Sequence, residues 1–378
     1  MLKVLMFNKL YGPSLGGVER VTYDICEELK NKVELIVLCA NTKCKTEIEY
    51  KDNYKIIRVA SLGRILSSVH LGVTVPWWWK RMKTDVIHFH FPSPIAELYC
   101  LALCARKQPL IVSYHADIIG YKKALFFYAP FVKKFLKRAD RIIISSPALL
   151  AHSPFLNKFK DKCVVVPFGI ELERFRLTED IKNAAKNLKE KFTKPIILFV
   201  GRLVAYKGLN YLIRAMKDID AVLLIIGKGD QEAILRKLAK DLGISDKVSF
   251  IKNVTDEDLP AYYHACDIFI LPSISNKEEF GVVQLEAHAC AKPVISTALP
   301  TGVPFVNLDG ITGLIVSPCS SKELALAINK LLSDDTLRNR LGQQAKNRLE
   351  AEFSRQIMTQ KVLNVYAEAL KERKMKLC

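Results

Sequence analysis

Short apolar runs alternate with longer amphipathic stretches along all 378 residues. The runs are rich in Val, Ile, Leu and Phe and predict strands. In the first half they fall near 3–8, 33–40, 55–59, 85–90, 109–114, 141–145 and 163–167. In the second half they fall near 195–200, 221–227, 247–252, 267–271, 293–296 and 313–316. Strands separated by helix-length segments predict an α/β protein with doubly wound parallel sheets. A charged, helix-like stretch over 178–191 interrupts the alternation, and 353–377 reads as a terminal helix. The expected organisation is a first Rossmann-like domain over 1–170, a linker over 171–194, a second Rossmann-like domain over 195–352 and a C-terminal helix over 353–378. Two domains suit this length. Doubly wound domains facing each other place ligands in a central cleft, beyond the C-terminal ends of their strands.

Composition narrows the class. Half the residues are hydrophobic, enough for two cores. No apolar run approaches the roughly 20 residues of a membrane span. The N-terminus opens directly into a strand with no signal-peptide pattern, so a cytoplasmic location is expected. Ten cysteines are scattered without a Cys-x-x-Cys pair. Cys26, Cys39, Cys266 and Cys290 lie within apolar segments, where a thiol acts as a small hydrophobe. Reduced thiols fit this pattern better than a disulfide framework or a zinc site.

The net charge of +18 is uneven, because residues 1–170 hold 26 Lys and Arg against 13 Asp and Glu. One basic cluster joins Trp77, Trp78 and Trp79 to Lys80, Arg81 and Lys83. Another, over 121–141, sets Lys122, Lys123, Lys133, Lys134, Lys137, Arg138 and Arg141 around Leu125, Phe126, Phe127, Phe131 and Phe135. Such a mix suits an anionic membrane surface, although the aromatic residues can equally pack on a core. No nucleic-acid-binding motif accompanies the charge.

Four motifs sit just after predicted strands. In Asn276-Lys277-Glu278-Glu279-Phe280-Gly281-Val282-Val283-Gln284-Leu285-Glu286, two carboxylates are separated by seven residues at a strand–turn–helix junction. The backbone N–H groups of Phe280, Gly281, Val282 and Val283 would then be available to a phosphate. Alternatively, Glu278 and Glu286 are ordinary surface carboxylates. Gly201-Arg202-Leu203-Val204-Ala205-Tyr206-Lys207-Gly208 places two cations five residues apart in a turn, a spacing that suits a diphosphate clamp. Gly16-Gly17-Val18-Glu19-Arg20 forms a glycine turn at a helix start, and Ser113-Tyr114-His115-Ala116-Asp117 follows another strand. His88 and His90 alternate on one strand and share a face, either as core residues or with one reaching a ligand. No third glycine completes a dinucleotide-binding fingerprint and no Walker motif is present, which argues against an NAD enzyme and direct ATP hydrolysis.

Together the four motifs make the chain resemble the retaining glycosyltransferases of family 4, which share the two-domain GT-B fold. The resemblance implies that Glu278 touches the donor sugar and Glu286 the ribose, with Asn253 and Val254 beside the base. It implies catalytic roles for Glu278, His115, Arg202 and Lys207. Contacts with the donor phosphate and the acceptor are implied for the loop of Gly16 and Gly17, and His90 and Arg20 are the candidate acceptor-binding residues. The terminal helix is implied to pack back on the first domain. A GT-B site does not need a divalent ion to hold the diphosphate, so the resemblance implies metal-independent chemistry with no cofactor.

Tyr114-His115-Ala116-Asp117, Ser145-Ser146-Pro147 and Pro167-Phe168-Gly169-Ile170 further resemble segments of bacterial surface-polysaccharide mannosyltransferases. That resemblance implies mannose transfer from GDP-mannose to a lipid-linked glycan, for lipopolysaccharide O-antigen or capsule, at the inner face of the cell membrane. A UDP-sugar-dependent galactosyl-, glucosyl- or N-acetylglucosaminyltransferase is the alternative. A UDP-sugar epimerase of the same fold and a non-enzymatic basic binding protein are more distant ones.

Overall fold

Val86–Phe91 is buried at every position despite containing two histidines, as a central strand of a parallel sheet covered on both faces must be. The computed structural model describes residues 1–12, 17–65, 69–72, 74–103, 108–117 and 122–377. The chain divides into two units, Met1–Phe168 with Arg355–Cys378, and Gly169–Ser354.

The first unit contains β1 (Lys3–Phe7), β2 (Glu34–Ala40), β3 (Glu47–Lys51), β4 (Tyr54–Val59), β5 (Ser61–Ile65), β6 (Val69–Gly72), β7 (Val86–Phe91), β8 (Leu110–Tyr114), β9 (Arg141–Ile144) and β10 (Cys163–Val165). Its main sheet has the order β10-β9-β8-β7-β1-β2-β4-β3, parallel except for the β3–β4 pair. β5 and β6 form a separate antiparallel pair. β3, β5 and β6 escape the sequence reading. β3 is an exposed, charged edge strand, which carries no apolar run to reveal it.

Alternation along β1 sends Leu5 and Phe7 into one core and Val4 and Met6 into another. The second core is completed by Met358, Val362, Val365, Tyr366 and Ala369 of the helix Arg355–Leu377, which therefore belongs to the first unit. A buried Arg355–Asp24 ion pair of 3.1 Å fastens the start of that helix.

The second unit carries β11 (Ile196–Val200), β12 (Val222–Ile226), β13 (Val248–Ile251), β14 (Ile268–Leu271), β15 (Val294–Thr297) and β16 (Gly313–Val316). They form one parallel sheet in the order β13-β12-β11-β14-β15-β16. Thr178 caps the helix Glu179–Lys191 by accepting from the Ile181 N–H. That helix lies within the second unit, so the stretch read as a linker is part of this domain. With His264 and Lys292 it lines a pocket of about 520 Å³. Ile170 N–H donates to the Phe353 carbonyl at 3.0 Å, so the chain enters and leaves this unit side by side. Among the described residues, no helix is long and apolar enough to cross a membrane.

Candidate functional site

In the parallel part of each main sheet the strand order reverses direction once, and ligands of open α/β sheets bind beyond the strand C-termini at that reversal. In the second unit it lies between β11 and β14. The turn after β11 carries Arg202 and Lys207, and the turn after β14 carries Glu278. The sheet therefore brings two of the four sequence motifs side by side.

Their contact is direct. Lys207 Nζ lies 2.5 Å from Glu278 Oε2, with both side chains about nine-tenths buried. Ser273, wholly buried at the end of β14, donates its hydroxyl to the same oxygen at 2.9 Å. The two turns are locked together by Ile274 N–H donating to the Tyr206 carbonyl at 2.9 Å. Gly208 makes this approach possible. Its φ is +69°, and a Cβ there would lie 2.1 Å from the Pro272 carbonyl oxygen. Arg202 remains exposed, with Nη2 3.5 Å from the Tyr206 hydroxyl.

The helix after Glu278 spans Val283–Ala289. Its first turn is closed by tight bonds from Gln284 N–H to the Gly281 carbonyl and from Leu285 N–H to the Val282 carbonyl, each 2.9 Å. The N–H groups of Gly281, Val282 and Val283 thus precede the first internal bonds of the helix. Gly281 has a φ of +71°, and a Cβ there would meet Leu271 Cδ2 at 2.6 Å. Phe280 turns its ring inward to Phe305 and Phe353. Glu286 is half-buried and accepts from the Tyr263 hydroxyl at 2.6 Å. Burial and the Glu286 carboxylate hold the Tyr263 phenol well above its usual range, so it stays a donor. Asn253 is exposed with a φ of +59°, next to half-buried Val254 in the loop after β13.

In the first unit the reversal lies between β1 and β7. Gly16 lies outside the described residues, while Gly17 opens the helix Gly17–Leu29 with no atom within 4 Å of a Cβ built on it. One turn on, Arg20 faces Asp24 at 3.3 Å. A column of imidazoles stands on one face of the sheet. His88 and His90 rings stack at 4.7 Å, and His90 and His115 at 5.0 Å. His88 is held by the Tyr366 hydroxyl at 2.6 Å and the Ser113 hydroxyl at 2.7 Å. His90 Nδ1 lies 2.8 Å from His115 Nε2. Burial depresses all three imidazoles, with His88 and His115 pushed down to about 3, so all stand neutral near pH 7.

His90, expected to contact the acceptor, is instead 1% exposed with both ring nitrogens occupied by protein atoms, and stands behind His115. A pocket of about 300 Å³ at the ends of β1 and β2 presents Tyr11, Asn41, Thr42, Lys43 and Arg58. The sequence reading missed it, together with Ser273 and Tyr263, because each is an ordinary residue that acquires meaning only from its tertiary neighbour.

The basic clusters separate in the structure. Trp77 is about half exposed with the Arg81 guanidinium 3.4 Å above its ring, whereas Trp79 is in the core. Phe126 and Phe131 of the helix Lys122–Arg138 are exposed and Phe135 is buried. Arg138 pairs with Asp140 at 3.2 Å and Arg141 pairs with Glu372, which removes both from the surface basic set. Tyr121, and the side chains of Lys122, Lys123, Leu125 and Phe127, lie outside the described residues.

Residues 15–174 match the family described as Glycosyltransferase Family 4, and residues 180–348 match Glycosyl transferases group 1. The chain is 31% identical to O-antigen chain mannosyltransferase C of Escherichia coli, over 98% of this chain and all of that one. It is 29% identical to D-rhamnosyltransferase WbpZ of Pseudomonas aeruginosa, over 93% of this chain and 92% of that one. Its fold matches sucrose-phosphate synthase of Thermosynechococcus elongatus with a TM-score of 0.82 at 24% identity, over 98% of this chain and all of that one. Two parallel-sheet units, a pair of glutamates flanked by basic turns at one sheet reversal, and full-length relatives at this identity all agree, and the chain belongs to glycosyltransferase family 4 with the GT-B fold.

Proposed function

We propose that this glycosyltransferase moves mannose from GDP-mannose to a lipid-linked glycan of O-antigen or capsule, with retention of configuration and without a metal ion. The observation that carries the reading is the buried Lys207–Glu278 pair beside exposed Arg202 at the sheet reversal. Arg202 and Lys207 take the diphosphate, Arg through two oxygens and Lys as a point charge. The N–H groups of Gly281, Val282 and Val283 add donors. Glu278, already fixed by Ser273, accepts from sugar hydroxyls, and Glu286 accepts from the ribose. As the bond from the anomeric carbon to the phosphate oxygen breaks, its electrons pass to the diphosphate, whose new charge the cations stabilise. The acceptor oxygen bonds that carbon on the same face, and its proton passes to the departing phosphate.

The full-length relation to an O-antigen mannosyltransferase supports the mannosyl and glycan assignment. The pocket around Tyr11, Asn41 and Arg58 is the acceptor site in this reading. Exposed Trp77, Phe126 and Phe131 beside basic residues support docking on anionic lipid at the inner face of the membrane.

The test is incubation of the purified protein with GDP-mannose, GDP-rhamnose, UDP-glucose, UDP-galactose and UDP-N-acetylglucosamine, each with a lipid-linked acceptor and with EDTA. The expected product is an α-mannoside, seen by its anomeric proton resonance, at a rate unaffected by EDTA. Transfer from a UDP-sugar alone overturns the donor, a β-mannoside overturns retention, and sugar isomerisation without acceptor favours the epimerase.

A further inference from the structure

β3 ends the main sheet of the first unit, and among the described residues no strand pairs with its outer edge. Its pairing with β4 runs from Lys51 opposite Tyr54 at the turn to Glu47 opposite Arg58. Only Asp52 and Asn53 lie between the first pair, so Lys51 and Tyr54 exchange both of their backbone hydrogen bonds. Alternation along the ladder gives the remaining bonds with β4 to Glu49 and Glu47. The N–H and C=O groups of Ile48 and Tyr50 therefore point the other way, to the open edge. Their side chains are uncovered too, Ile48 at 45% and Tyr50 at 76% exposure. Charge does not blunt this edge evenly. Glu47, Glu49 and Lys51 share the sheet face of buried Tyr54 and Ile56, which the helix Gly17–Leu29 covers, whereas Ile48 and Tyr50 lie on the opposite face.

The edge is complementary to itself. In an antiparallel pair of two such strands, setting Ile48 against Ile48 puts Glu47 opposite Glu49, which repels. Setting Tyr50 against Tyr50 runs off the strand end at Lys51 and bonds only one residue pair. Setting Ile48 against Tyr50 of the second copy uses every outward group of both residues, about a two-fold axis at Glu49. It also puts Glu47 opposite Lys51 of the second copy on one face, and an aliphatic side chain against an aromatic ring on the other. Both are favourable cross-strand pairs. Lys51 is already held in place, with its ammonium 2.8 Å from Glu27. The like pair at the axis, Glu49 with Glu49, is offset by Arg58, whose guanidinium lies 3.4 Å from Glu49 in each copy.

We propose that β3 is a homodimerisation edge, at which two copies of this chain join by antiparallel pairing of Glu47–Lys51 with Glu47–Lys51, Ile48 opposite Tyr50. The main sheets of the two first units then become continuous. The contact is short, and small interfaces are transient. The charged face makes it selective, because an unrelated edge does not meet Glu47 with a cation and Lys51 with an anion. This pairing rests on the first unit alone and does not depend on which sugar is transferred.

The test is sedimentation velocity of the full chain from about 1 µM to about 1 mM, the range over which weak contacts dissociate. A monomer–dimer equilibrium is expected, and a monomer throughout overturns the proposal. Ile48→Pro removes an N–H that takes no part in the β3–β4 ladder, a place where an edge strand tolerates proline. A folded variant is expected to dimerise at least about tenfold more weakly, since each copy loses a hydrogen bond across the axis. Undiminished dimerisation by this folded variant overturns the edge as the interface.

Oxidative cross-linking reads the register independently. Opposed residues that exchange no backbone bonds lie about 4.5 Å apart at Cα, within disulfide reach. Glu49→Cys is therefore expected to link to its own second copy. Mass spectrometry of the joined peptide identifies the introduced thiols, which separates them from exposed Cys44 and Cys319. Tyr50→Cys, at an exposed position, is expected not to link, because its counterpart lies on a diagonal of about 7–8 Å. Linking of Tyr50→Cys in place of Glu49→Cys overturns the register. Linking of neither overturns the pairing, even if Ile48→Pro does not fold.

Discussion

Lys207 and Glu278, seventy-one positions apart in sequence, meet at 2.5 Å in a buried ion pair formed by the turns after two neighbouring strands. In the proposed function Lys207 takes the diphosphate and Glu278 the sugar, and in this structure each neutralises the other. The pair separates two cations that look equivalent in sequence. Lys207→Ala leaves a buried carboxylate unpaired and is expected to cost about 3–5 kcal/mol of stability. Arg202→Ala, at an exposed position, is expected to stay within about 0.5 kcal/mol. Both should lower turnover at least about a hundredfold. Denaturant unfolding and steady-state transfer check the two effects separately, and near-normal transfer by either folded variant removes that residue from the clamp.

The two glutamates should divide by kinetic parameter. Glu278→Gln is expected to lower kcat more than nucleotide affinity, because its carboxylate is assigned to the sugar. Glu286→Gln is expected mainly to weaken GDP binding. Tyr263→Phe, which removes the hydroxyl 2.6 Å from Glu286, should weaken GDP binding in the same direction. Calorimetry with GDP and saturation kinetics decide this, and loss of GDP affinity by Glu278→Gln with turnover retained reverses the assignment.

Two glycines predict opposite outcomes. Gly208→Ala drives a Cβ to 2.1 Å from the Pro272 oxygen at a φ of +69°, so a loss of at least about 2 kcal/mol is expected. Gly17→Ala meets nothing within 4 Å and is expected to leave stability within about 0.5 kcal/mol. If Gly17→Ala is stable yet impaired in transfer, the glycine serves the ligand. Unchanged transfer means that its helix start is structural only.

The buried imidazoles make stability depend on acid. His88 is held down to about 3 in the folded chain, against about 6.5 unfolded. Below pH 6.5 the unfolded chain binds a proton that the folded chain refuses, so this contribution is present above 6.5 and is lost on acidification towards 3. Relative to His88→Gln, the wild type should lose about 1.4 kcal/mol per pH unit in that window. Chemical denaturation of both proteins at pH 7 and pH 5 measures it, and parallel losses would show that His88 is not held neutral.

The proposed membrane docking rests on the residues that remain at the surface. Replacing Lys80, Arg81, Lys83, Lys133, Lys134 and Lys137 by Gln should reduce binding to anionic vesicles, at about 1 kcal/mol for each residue near the lipid. Transfer to a soluble acceptor should persist. Equal wild-type binding to neutral and anionic vesicles at low salt would mean that the excess charge serves another purpose.

The strands of both parallel sheets were legible because strands covered on both faces must be continuously apolar, as Ile196–Val200 and Ile268–Leu271 are. That Arg202, Lys207 and Glu278 lie in turns just after strands was legible because the apolar runs mark where each strand ends. The edge strand Glu47–Lys51 was not, since an exposed strand is free to be polar. Tertiary structure alone decided which polar residues meet. Nothing local tells that Lys207 is buried against Glu278 while Arg202 stays in water, or that Tyr263 reaches Glu286. Strand alternation put His88 and His90 on one face, but only Tyr366 of the helix Arg355–Leu377 closes over His88, while Thr22, His115 and Met6 enclose His90. Local sequence sets which elements form and which side of a strand a residue takes. Burial and pairing depend on what another part of the chain, often hundreds of residues away, brings to that side.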